Sequence, residues 1–166
     1  MAPPGPPGPP GPPSPILQPV YGSLYGGDPT IPVTSNGIVD FTTSGPSSGT
    51  IPDPATNTIT VLSTGVYNIE FGIAIHLAVA ASTNNIAEIV QVIVNVNGVN
   101  DFTSLAVFIV NPIVDADLTI VSTQSKTIQR NLNAGDQVSL RFTSISGSGN
   151  GLSGYDFPSL VVTKIA

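Results

Sequence analysis

Residues 66–79 alternate without interruption. The odd positions hold Tyr67, Ile69, Phe71, Ile73, Ile75, Leu77 and Val79, all large and apolar; the even positions hold Val66, Asn68, Glu70, Gly72, Ala74, His76 and Ala78, mostly small or polar. A period of two is that of a β-strand, whose successive side chains point to opposite faces of a sheet. The odd set predicts the core side of a sheet packing. The even set predicts a flat face of small side chains, and glycine inside a strand often marks close approach of another backbone. Gly72, Ala74, His76 and Ala78 are therefore candidates for a contact between subunits. The competing reading is a face left in solvent.

Runs rich in alternating or β-branched residues predict further strands at 38–42, 57–62, 86–96, 99–110, 118–122, 127–132, 137–145 and 159–165. Asn97-Gly98, between Val96 and Val99, is the pair that a tight type I′ hairpin requires. Ala134-Gly135-Asp136 predicts a second turn, and the Gly/Ser-rich 146–154 stretch predicts a loop. No window carries a helical period with caps. The expectation is an all-β jelly-roll sandwich of about ten strands, not a parallel α/β sheet.

The amino-terminal residues obey a different rhythm. Gly5, Gly8 and Gly11 fall every third residue between prolines, giving three Gly-Pro-Pro triplets. This is the collagen repeat: three polyproline-II strands can wind together only where every third residue lacks a side chain. The chain divides into a collagen-like tail (1–15), a linker (16–20) and a head (21–166), and the tail implies an association of three. Two uses of the tail are open. Three tails could form a short triple helix, at most about 40 Å long at ~3.1 Å per residue. Alternatively, the preorganised arm could dock into the next trimer, and a head-to-tail contact that does not close generates a filament.

Composition narrows the function. Charged residues make up 8% of the 166, mean hydropathy is positive, and the formal charge is −6. So few charges imply a surface partly covered by copies of the same chain. The negative balance argues against nucleic acid and anionic membrane as partners. The absence of cysteine excludes disulfides, thiolate catalysis and cysteine-based zinc sites. No secretory signal is read at the amino terminus, and the most apolar segment, 71–81, is too short for a membrane span.

Catalytic candidates are few. His76 is the single histidine, and it reads as a satisfied interface residue; a three-fold histidine cluster sensing pH is the sharper alternative. Gly149, Gly151 and Gly154 match the spacing of a dinucleotide fingerprint, but Pro158 and a strand follow where a helix is needed. Asp115 and Asp117 are spaced to share a calcium ion, yet without a third ligand they read as solvated loop acids. The expectation is no enzymatic activity, no cofactor and no metal.

Several motifs fall in a familiar order. Ser63-Thr64-Gly65-Val66-Tyr67-Asn68-Ile69, Asn133-Ala134-Gly135-Asp136-Gln137-Val138-Ser139-Leu140 and the closing Ser159-Leu160-Val161-Val162-Thr163-Lys164-Ile165-Ala166 resemble the strand starts, turn and last strand of the tumour-necrosis-factor and complement-globular-head superfamily. The Tyr21-Gly22-Ser23-Leu24-Tyr25 stretch behind a collagen-like segment is similar to the heads of bacterial collagen-like exosporium glycoproteins. That resemblance implies a ten-strand jelly-roll protomer, a compact homotrimer and a structural or adhesive role on a spore surface. Spore outer layers are built from the mother-cell cytoplasm, which accords with the missing signal. Two departures stand out: the stalk has three triplets and no threonine for sugar attachment, and a recognisable targeting segment is lacking. The implied partners are further copies of the chain, as a discrete trimer or stacked into fibres, and other spore-surface proteins. The alternative is a trimeric binding head, lectin-like or receptor-binding.

Overall fold

The computed structural model describes residues 1–5, 8, 18–26, 31–79, 88–110, 118–146 and 151–166. Its strands, in chain order, are β1 (Tyr21–Tyr25), β2 (Ile31–Pro32), β3 (Thr43–Ser44), β4 (Thr50–Asp53), β5 (Thr58–Val61), β6 (Gly65–Val79), β7 (Glu88–Val96), β8 (Val99–Val110), β9 (Leu118–Leu132), β10 (Gln137–Ser146) and β11 (Gly151–Lys164). They form two antiparallel sheets, β3-β1-β11-β6-β9 with β2 also on β11, and β4-β5-β10-β7-β8. No helix occurs among the described residues. The expected all-β jelly-roll sandwich is the fold.

The alternation along β6 does what its chemistry dictates. Tyr67, Ile69, Phe71, Ile73, Ile75 and Leu77 are all buried between the sheets. Val90, Val92, Val94, Val138, Leu140 and Phe142 meet them from the facing sheet. Tyr67 keeps its phenol satisfied by donating to the Ser63 carbonyl at 2.7 Å, which lets so large a side chain be wholly enclosed. The β7–β8 hairpin turns at Asn97 and Gly98, with φ of 52° and 84°. Two consecutive positive values are the type I′ signature that the Asn-Gly pair predicts.

Four expectations need correction. Residues 38–42 are not a strand, although Val39 and Phe41 alternate into the core. Val39 N–H and Thr42 N–H reach the Leu140 and Tyr25 carbonyls, both at 2.9 Å, but the two donors between them go to side chains and break the ladder: Asp40 N–H to the Tyr155 phenol oxygen at 2.9 Å, and Phe41 N–H to Asn57 Oδ1 at 2.7 Å. Asn57, expected to begin a strand, sits in a turn with φ of 57°. The two strands expected at 118–122 and 127–132 are one, β9, paired with β6 over its whole length. Finally, 151–154 is not loop but the start of β11, lying opposite Leu77–Val79 and His76. Residues 147–150 of that expected loop lie outside the described residues.

One ion pair ties the two sheets at their open edge. Arg130 of β9 donates to both Asp101 carboxylate oxygens on β8, through Nε and through Nη2, the latter at 2.6 Å. The Arg130 guanidinium, helped by the Thr103 hydroxyl and N–H, holds the Asp101 carboxyl below the usual carboxylate range. Asp101 thus binds its proton less readily folded than unfolded. Its contribution to stability is present above the ordinary carboxylate pKa of about 3.9 and is lost as pH falls through the lower folded value. Thermal melts across the acid range should show a steeper fall in Tm below about pH 4 for the unaltered protein than for Asp101→Asn, which has no carboxylate to titrate. Equal slopes would remove the pair from the acid response.

Candidate self-association face

Because the odd residues of β6 are consumed by the core, the even ones line the outer face of the β3-β1-β11-β6-β9 sheet. Register makes this face three strands wide. His76 stands between Gly154 and Val121, Ala74 between Asp156 and Thr123, Gly72 between Ser159 and Ser125, and Glu70 between Val161 and Thr127. Ala78 continues the row, its backbone opposite Leu152 and Thr119. Gly72, Ala74 and His76 are all partly exposed. A Cβ at Gly72 would meet only the Ser159 hydroxyl, at 3.2 Å, so within one protomer the glycine is not demanded by packing.

The structure gives His76 a partner that the sequence could not indicate. Its Nε2 lies 2.5 Å from Asp156 Oδ2, because β11 sets Asp156 diagonally across from it. Eighty positions of chain separate the two (156 minus 76), and only the strand register brings them together. Asp156 is itself buried, and its second oxygen, Oδ1, has no hydrogen-bond partner among the described residues. Asn68 Oδ1, on the same face, is likewise buried without one. Two orphan acceptors on a single face are unusual, since buried polar atoms are nearly always paired.

Next to Asp156 the β11–β6 ladder is interrupted by a bulge between Asp156 and Ser159. Phe157, in the bulge, has φ of 47° and is 64% exposed. A bulky residue in the left-handed region is strained, and such strain concentrates at functional positions. Sequence reasoning missed it because nothing in the Asp156-Phe157-Pro158 letters marks the conformation. Of the tail, Gly5 and Gly8 are exposed with open space around them. Gly11, Asp115 and Asp117 lie outside the described residues. Among the described residues, no three His, Asp or Glu side chains are grouped to hold a metal.

No protein-family model matches the sequence. No curated protein matches it either. Solved structures do match in shape. The globular domain of zebrafish complement 1qA protein aligns with 90% of this chain and 98% of its own, at 13% identity and a TM-score of 0.56. Eiger TNF from S. frugiperda aligns over 89% and 93%, at 12% identity and the same TM-score of 0.56. At such identities the likeness is one of fold alone: this chain is built as a jelly roll of the complement-globular-head and tumour-necrosis-factor type.

Proposed function

We propose that the protein is a non-enzymatic, homotrimeric building block of a bacterial spore surface. Three heads associate through the outer face of the β3-β1-β11-β6-β9 sheet, and the proline-rich arm joins one trimer to the next. The observation that carries this reading is the coincidence, on one face, of a ribbon of small side chains with two buried acceptors lacking donors. A second copy could approach such a ribbon closely and donate to Asn68 and Asp156. Burial without a donor costs about 1–3 kcal/mol per group, so supplying one favours assembly. The number three comes from the Gly5, Gly8 and Gly11 period, which has a structural use only when three chains share it. The spore setting rests on the resemblance of the 21–25 stretch and the collagen-like tail to exosporium heads.

Sedimentation velocity and electron microscopy of the full chain and of a variant lacking residues 1–15 test both levels. The full chain is expected to form filaments of trimers, and the shortened chain discrete trimers. Filaments persisting without the arm would exclude it as the connector. A protomer that stays single at micromolar concentration would overturn the trimer itself.

A further inference from the structure

A third orphan lies on the opposite sheet. Arg141 Nε is buried and meets no hydrogen-bond partner among the described residues. The chain has four basic side chains. Among the described residues, Arg130 is held by Asp101, Lys164 donates to the Thr64 carbonyl at 2.8 Å, and Lys126 to the Leu105 carbonyl at 3.1 Å. Arg141 has no carboxylate at ion-pair distance among them. Asp136 accepts from Asn97 Nδ2 and Asn133 N–H, both at 2.8 Å, and Asp40 from Asn57 Nδ2 at 2.9 Å, so both carboxylates are engaged elsewhere. A guanidinium nitrogen withdrawn from water without an acceptor is costly.

Across the sheet Arg141 is flanked by Ile93 and Ile38; the polar residues around it come from alternation along β10. Val138, Leu140 and Phe142 of β10 fill the core, so Gln137, Ser139 and Arg141 point outward. Asn95 of β7 stands opposite Ser139. With Ile38, these residues line a shallow depression of about 160 Å³. Asn95 and Ser139 are only 2% and 6% exposed, which puts an amide and a hydroxyl at its floor. The volume is below the roughly 300–1,000 Å³ of drug-sized sites and suits one small ring.

We propose that this depression binds a carboxylated monosaccharide. The planar guanidinium fork of Arg141 matches the two oxygens of a carboxylate. Gln137 and Ser139 offer donors and acceptors to ring hydroxyls, and Ile38, 38% exposed, offers an apolar surface to a ring face; the Asn95 amide, which donates to Asn100 Oδ1 at 2.8 Å, forms the floor beneath them. A phosphate fits less well: the lining holds a single cation, and the chain's charge of −6 opposes a dianion more strongly than a monoanion. The site is on the sheet opposite the proposed trimer face, so it is independent of that assembly.

Saturation-transfer NMR on the full chain tests this with methyl glucuronide as probe, and with methyl glucoside and acetate as controls. The glucuronide is expected to bind with a Kd on the order of millimolar, the glucoside and acetate each at least about tenfold more weakly. Arg141→Gln should weaken glucuronide binding roughly 10- to 100-fold, the loss of a charge-assisted contact. Gln137→Ala, an exposed change on the same lining, should weaken it several-fold with the fold intact by circular dichroism. The Ala74→Arg protein should bind like the unaltered chain, whatever its oligomeric state. Equal binding of glucoside and glucuronide, acetate binding as tightly as glucuronide, or unchanged affinity in folded Arg141→Gln would each overturn the proposal.

Discussion

In the chain lacking residues 1–15, Ala74→Arg is expected to sediment as a single folded protomer where the otherwise unaltered head sediments as a trimer. Ala74 lies at the centre of the ribbon, flanked by Asp156 and Thr123, and its side chain points away from the core. An arginine there has room in an isolated protomer, so circular dichroism should be unchanged. In the assembly it would force apart surfaces that meet through hydrogen, methyl and hydroxyl groups. The expected loss in association is at least about 100-fold, or ~2.7 kcal/mol. A Glu70→Gln protein, altered on the same face in charge but hardly in size, should remain trimeric. If Ala74→Arg still forms trimers, the contact lies elsewhere and the small-residue ribbon is merely a solvated surface.

Gly22→Ala should produce the largest loss of protomer stability among conservative changes. Gly22, on β1, is buried against the opposite sheet, and a Cβ there would fall 2.1 Å from Thr50 Oγ1 and 3.3 Å from Ile59 Cγ2. Thr50 cannot simply swing aside. Its hydroxyl donates to the Tyr21 carbonyl at 2.7 Å, and β-branched side chains have few rotamers to choose from. Overpacking typically costs about 1–3 kcal/mol, and a lost hydrogen bond about 1 more. For a domain of this size the fall in Tm is roughly 4–16 °C. The double change Gly22→Ala with Thr50→Ala removes the colliding hydroxyl. It should be destabilised by less than the sum of the two single changes. Strict additivity would mean that the two residues do not collide.

The strands that could be read from sequence are those whose pattern and hydrogen bonding agree. β6 was legible because both neighbours are long strands and its inner face is wholly apolar; β8 was legible because Asn97-Gly98 fixes where it begins. β9 looked like two strands because its inner-facing middle, Ser122, Gln124 and Lys126, is polar. It is an edge strand, and there Lys126 reaches the Leu105 carbonyl of β8, a use for polar residues that periodicity does not register. The 38–42 segment failed in the opposite sense. Its pattern is that of a strand, and Val39 and Thr42 do bond backbone carbonyls, but Tyr155 and Asn57 take the Asp40 and Phe41 donors that would continue a ladder. At the candidate face, Gly72, Ala74 and His76 were found from alternation alone. Asp156, Phe157 and Arg141 were not, since their significance depends on register, a bulge and a missing acceptor, all products of distant pairing.

β1 and β11 lie side by side, Tyr21 opposite Thr163 and Tyr25 opposite Ser159. β1 therefore leaves a ribosome well before the partner that its ladder needs, β11, and waits for it. Until then β6, flanked by β9 alone, presents a bare edge and half of an unsheathed apolar floor. Non-local closure of this kind is slow and leaves nascent chains prone to sticking together. A cell making this protein in quantity would gain from chaperones that shield the nascent chain until β11 has emerged.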